Sequence, residues 1–125
     1  MNPIQLNLAV GAGAGILAAA ATTTALIAHD RSVVDKLETR EERNDAVDQF
    51  SGAIDSIGWV GFAAAMLTPN SWSGASAIKA GGWGVMIGNY AAKEITQSVV
   101  LNRVEDKGNR WNPFDNKLTV GPKGD

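Results

Sequence analysis

The sequence predicts an all-α fold: three apolar, Gly/Ala-rich helices, a polar connecting helix and an irregular C-terminal tail. Three observations predict it. The first 29 residues, MNPIQLNLAVGAGAGILAAAATTTALIAH, carry no charged side chain. Stretches 56–78 and 80–92 are equally free of charge. The 11 basic and 13 acidic side chains crowd instead into 30–55 and 93–125, with Lys79 the single exception. A bilayer imposes such segregation, because a charge at its centre is expensive. At 125 residues, the whole chain is one small domain.

Taken in order, the first apolar helix is expected over 4–28. Asn2-Pro3 suits its start, since proline is tolerated in a first turn. The run exceeds the roughly 20 apolar residues that a spanning helix needs. It lacks the basic beginning of a cleaved signal, so it is expected to be retained. Gly11, Gly13 and Gly15 each cost about 1 kcal/mol relative to alanine in an exposed helix, a cost that packing against neighbours offsets.

Residues 30–50 read as a polar helix that prolongs the first span into solvent. Val33, Leu37, Val47 and Phe50 give it only a broken apolar stripe. Ser51-Gly52 is expected to punctuate. A second apolar helix follows over 53–67 and is stopped by Thr68-Pro69-Asn70. Ser73 is the expected N-cap of a third helix over 75–105, which Lys107-Gly108-Asn109 ends. The tail, 106–125, holds Asn112-Pro113 and Gly121-Pro122, with a short extended piece at 117–120.

With all three apolar segments crossing a membrane, ten of the eleven basic residues fall on one side, and only Lys79 lies near the other. Lys and Arg collect on the cytoplasmic side. The expected topology is therefore N-out and C-in, in a bacterial inner membrane or the internal membrane of a virion. Trp59 and Tyr90 then lie near the inner interface and Trp72 at the outer tip, levels that Trp and Tyr favour. Lys79 would snorkel outward along its stem. Asp55 and Lys93 fall within a turn of each other near the inner edge and are expected to pair. Trp83, mid-span, reads as a packing residue.

Small residues recur every fourth position. The first segment carries Gly11, Gly15 and Ala19, the second Gly61 and Ala65 with Ala53 in the same period, and the third Ala80, Gly84, Gly88 and Ala92. This spacing gathers small side chains on one helix face and lets backbones approach, as in membrane helix pairs. The segments are only marginally apolar. Leu6, Leu8, Val10, Ile16, Leu17, Leu26 and Ile27 favour insertion of the first by about 2–4 kcal/mol in total, which its glycines, threonines and Asn7 oppose. Such helices gain from burial against protein, so self-association or other subunits of an assembly are expected alongside membrane lipid as partners.

Chemistry-bearing motifs are scarce. The net charge of −2 leaves no basic stripe for nucleic acid. The chain has no cysteine, hence no disulfide and no thiolate site. Gly11-Ala12-Gly13-Ala14-Gly15 falls short of a dinucleotide turn, because Ile16 stands where the final glycine is required. His29 beside Asp30 reads as an interfacial polar residue, and the hydroxyls of Thr22, Thr23 and Thr24 as bonded one turn back. Glu41-Glu42 sits in a solvated run with nothing to shift its acidity. No enzyme, cofactor, metal or small-molecule substrate is expected.

These readings point to a non-enzymatic, oligomer-forming structural membrane protein of a virion or bacterial assembly. The inferred layout also resembles class I holins, which are short, cross the membrane three times N-out and C-in, and end in a charged tail. That resemblance implies membrane permeabilisation, and the long charged 30–55 loop departs from it. A third expectation is a subunit of a helical virion or tube assembly whose Gly/Ala helices meet only protein.

Overall fold

The computed structural model describes residues 2–101, 104–106 and 117–119. It is helical, with α1 at Pro3–Ser32, a 3₁₀ turn at Val34–Lys36, α2 at Arg40–Leu67, α3 at Ala75–Ile95 and a π turn at Thr96–Val100. Strands β1 (Val104–Asp106) and β2 (Lys117–Thr119) form a short antiparallel ribbon, with Glu105 opposite Leu118. The extended piece expected at 117–120 is thus one strand of a pair. The helix expected to reach residue 105 gives way at Ile95, and residues 104–106 are strand.

α1 starts on a capping box. Asn2 Oδ1 accepts from the Gln5 backbone N–H at 2.8 Å, and Gln5 Oε1 accepts from the Asn2 N–H at 3.2 Å. The expected break at Ser51-Gly52 is not there, because α2 runs through it and Ser51 is buried. The chain turns back earlier, between Val33 and Thr39. Leu37 is extended, and Thr39 caps α2 by accepting from the Glu42 N–H at 3.1 Å. Arg43 closes this reversal by donating from Nε to the Leu37 carbonyl at 3.1 Å. The polar helix is therefore the first half of α2 and does not prolong α1.

The N-cap of α3 is Gly74, not Ser73. Successive turns, Trp72 N–H to Pro69 O and Ala75 N–H to Trp72 O, deliver the chain to Gly74 at φ 75°, a left-handed conformation that glycine adopts without strain. At the other end, Leu101 N–H bonds the Thr96 carbonyl across five residues. The β-branched Thr96, Val99 and Val100 fit poorly in a regular last turn, and the widened turn leaves Thr96 and Gln97 buried.

α3 lies between the other two helices. Ser76 bonds Asn7, Gly84 faces Gly11, Gly88 faces Gly15 and Thr22 bonds Asn89, so α1 and α3 run parallel. Gly82 faces Gly61 and Ala65, and Lys93 meets Asp55, so α2 and α3 form an antiparallel hairpin. The two faces of α3 are both made of small residues. Ala80, Gly84 and Gly88 address α1, while Gly82 addresses α2.

The contact is backbone against backbone. A Cβ on Gly11 would sit 3.2 Å from the Ala80 carbonyl oxygen, and one on Gly15 3.1 Å from that of Gly84. On Gly84 and Gly88 it would collide with the Gly11 and Gly15 carbonyl oxygens, and on Gly61 it would meet the Gly82 oxygen at 2.6 Å. Such approach lets Cα–H groups contact carbonyl oxygens across the interface. Gly11, Gly15, Gly61, Gly84 and Gly88 of the i+4 rows thus meet partners within the chain.

These distances separate two classes of glycine. Gly88→Ala is expected to destabilise the fold by about 2 kcal/mol through overpacking against α1. Gly13→Ala, where nothing lies within 4 Å of the added carbon, is expected to stabilise by about 0.5–1 kcal/mol through helix propensity. Thermal unfolding of the two variants in the same detergent checks the contrast.

Candidate functional site: a polar seam and an aromatic groove

Between the apolar helices runs a seam of buried polar side chains. Thr22, 0% exposed, donates from Oγ1 to Asn89 Oδ1 at 2.7 Å. The next residue, Thr23, pairs through its hydroxyl with that of Thr96, seven residues beyond Asn89, at 3.2 Å. Thr22 and Thr23 thus depart from the expectation that their hydroxyls bond one turn back on their own helix. They bond across to α3 and its π turn, because Gly84, Gly88 and the buried Ala92 hold the backbones close enough for short side chains to meet. Interhelical Thr and Asn bonds of this kind link membrane helices and are worth roughly 0.6 kcal/mol each, up to about 1–2.

The second feature opens on the outer side of the α2/α3 hairpin. A groove of about 350 Å³ is lined by Asp55, Trp59 and Phe62 of α2 and by Met86, Asn89 and Tyr90 of α3. Asp55, Trp59 and Phe62 are spaced four and three apart and so share one helix face. Trp59 meets Phe62 edge to face at 5.8 Å, and Phe62 meets Trp83 the same way at 6.3 Å. Gly58 forms part of the floor. A Cβ there would lie 3.1 Å from Asn89 Nδ2, so glycine leaves the amide its place. Asn89 is 3% exposed, yet its Nδ2 has no acceptor among the described residues.

Lys93 Nζ lies 2.5 Å from Asp55 Oδ1 at the end of this groove. The lysine side chain is 13% exposed and the carboxylate 47%. Trp59 and Tyr90 stand beside the pair and are largely exposed, while Trp72 lies in the turn at the far end of the hairpin. Lys79, also near that end, donates to Asn70 Oδ1 at 2.6 Å. Trp83 is partly exposed on the outer flank of α3.

A third cluster closes the polar end. His29 stacks flat on Phe50, with ring centroids 3.9 Å apart. Below them Val34 and Val47 form a small hydrophobic cluster flanked by Ala46. The stripe that looked broken in sequence is thus split between two jobs: Val47 in that cluster and Phe50 on the histidine. No group of three or more His, Cys, Asp or Glu side chains among the described residues is arranged to hold a metal ion. Of the basic residues assigned to the tail, Arg103, Lys107, Arg110 and Lys123 lie outside the described residues.

No protein-family model, curated protein or solved structure matches this chain.

The ion pair has unequal partners, and this sets a test. Asp55→Ala strands a mostly buried ammonium, whereas Lys93→Met leaves a half-exposed carboxylate that water can solvate. Asp55→Ala is expected to cost about 1–2 kcal/mol and Lys93→Met less than about 1 kcal/mol, read from thermal unfolding in detergent.

Proposed function

We propose that this chain is a non-enzymatic structural membrane protein that works within an oligomeric assembly of a virion or bacterium. One observation carries the reading: in the apolar half of the bundle, the usual order of inside and outside is inverted. Its interior is mostly glycine, alanine, threonine and asparagine, with Leu26 and Ile54 buried only toward the polar end. Its exterior holds Leu8, Ile16, Leu17, Val60, Leu67 and Ile87, each more than 60% exposed. Water opposes such a coat, since monomeric soluble proteins seldom show large contiguous apolar patches. Lipid accepts it, and in lipid helices are held by close packing and interhelical hydrogen bonds.

The polar half supports the same reading by contrast. There Val34 and Val47 are inside, and Arg31, Asp35, Lys36, Glu38, Arg40 and Glu41 are outside. The core changes its chemistry along the bundle axis near His29, Ser51 and Gln97, as a bilayer surface requires. α1 and α2 are each long and apolar enough to cross a membrane. Orientation with the N-terminus outside rests on the basic residues gathered at the polar end.

α3 favours a second reading. With Lys79 and Lys93 in its sequence, it is not among the candidate spans. Between Lys79 and Lys93 its uncharged stretch rises only about 21 Å at 1.5 Å per residue, short of the roughly 30 Å hydrocarbon core. A protein partner covering the exposed coat, as in a helical tube or virion subunit, accommodates that shortness directly. The holin-like alternative needs three spans and is weakened by the same feature.

Alkaline carbonate washing of membranes from expressing cells separates these readings. The membrane proposal expects at least nine-tenths of the chain to stay with the pellet. Release into the wash contradicts it and favours the protein-buried subunit. Abrupt loss of membrane potential on expression would favour the holin-like alternative.

A further inference from the structure

We propose that the aromatic groove between α2 and α3 is a binding site for a zwitterionic phospholipid whose headgroup carries an ammonium, such as phosphatidylethanolamine. The inference rests on the membrane reading above and adds a ligand to it. Each part of that lipid has a counterpart in or beside the groove. Asp55, about half exposed, retains open carboxylate surface beside the rings of Trp59 and Tyr90. A carboxylate flanked by aromatic faces suits an ammonium, through charge and cation–π attraction. Lys93, bonded through one of its three donors to Asp55, has charge to offer the adjoining phosphate.

The buried Asn89 amide supplies the second, independent indication. Its oxygen is taken by Thr22, and its nitrogen, packed against Gly58 at the floor of the groove, has no acceptor among the described residues. A buried donor left unmade is costly. The carbonyl oxygen of a glycerol ester fills that need. Beyond it, Phe62 and Met86 continue the groove as an apolar track toward the turn at 68–74, where an acyl chain would lie. From Asp55 to Phe62 the track rises about 10 Å along α2, so headgroup and first chain carbons are matched in turn. An anionic lipid such as phosphatidylglycerol matches Lys93 and Asn89 but sets no cation against Asp55.

Native mass spectrometry of the full-length protein, released from mild detergent with an equimolar mixture of phosphatidylethanolamine and phosphatidylglycerol, tests this. The expected result is preferential retention of one phosphatidylethanolamine per chain. Asp55→Asn should lower that preference about tenfold, the scale of one charge-assisted hydrogen bond, and Asp55→Glu should keep it. Phosphoethanolamine alone, without acyl chains, should not compete at equal concentration. Equal retention of both lipids, or an Asp55→Asn protein with unchanged preference, overturns the assignment. So does ready disulfide formation between Tyr90→Cys chains, which would place a second copy in the groove. If the protein resists carbonate yet shows no lipid preference, only this site falls; if it washes off, the membrane reading falls with it.

Discussion

The structure depends on how closely α1 and α3 approach. Gly11, Gly15, Gly84 and Gly88 place carbonyl oxygens where side chains would otherwise be. Only at that separation do Thr22 and Asn89 reach each other, and Thr23 reach Thr96. The polar seam is thus a consequence of the glycine contact. So is the outward placement of Leu8, Ile16, Leu17 and Val60: beside the glycine contact the interior is too thin for them, and Leu26 and Ile54 are buried only toward the polar end. A helix pair held by backbone contact and short polar side chains gains little from expelling water. It fits a solvent in which hydrophobic burial between helices is no driving force.

The same constraint explains why α3 sits in the middle. It meets a neighbour through small residues on two faces, Ala80, Gly84 and Gly88 toward α1 and Gly82 toward α2. α1 and α2 are drawn together mainly at the polar end, where larger residues take over the packing: His29 on Phe50 and Val34 on Val47. One chain therefore holds two kinds of core, a thin one of glycine, alanine and threonine and a conventional one of valine. The groove beside Asp55 and Lys93 lies where the first kind ends, so it can pair an apolar track with charged groups.

Much of this was legible in the sequence, and the misses have physical causes. Charge segregation located the apolar segments, and i+4 spacing picked out Gly11, Gly15, Gly84 and Gly88, because both signals depend only on residue type and helical period. Spacing alone did not say whether those rows meet within a chain or between chains. Gly82, the close contact toward α2, went unnoticed because it lies off the dominant row. Ser51-Gly52 looked like a break, yet a small buried serine is as good a helix-packing residue as a breaker. The true reversal was marked by Thr39-Arg40-Glu41-Glu42, a Thr-x-x-Glu start signal hidden inside a charged run. Asn89, which joins the seam to the groove, had no sequence signal beyond being an amide in an apolar helix, and in retrospect that is the signal.

Site-directed spin labelling tests the inverted core most directly, and the absence of native cysteine makes each label unique. Single labels at Leu8, Ile16, Val60 and Ile87 in reconstituted vesicles should be readily accessible to oxygen and poorly accessible to a water-soluble nickel chelate. Labels at Glu41 and Gln49, exposed on the polar half of α2, should show the reverse. Nickel accessibility at the first set, equal to that at the second, would place those side chains in water and contradict the account.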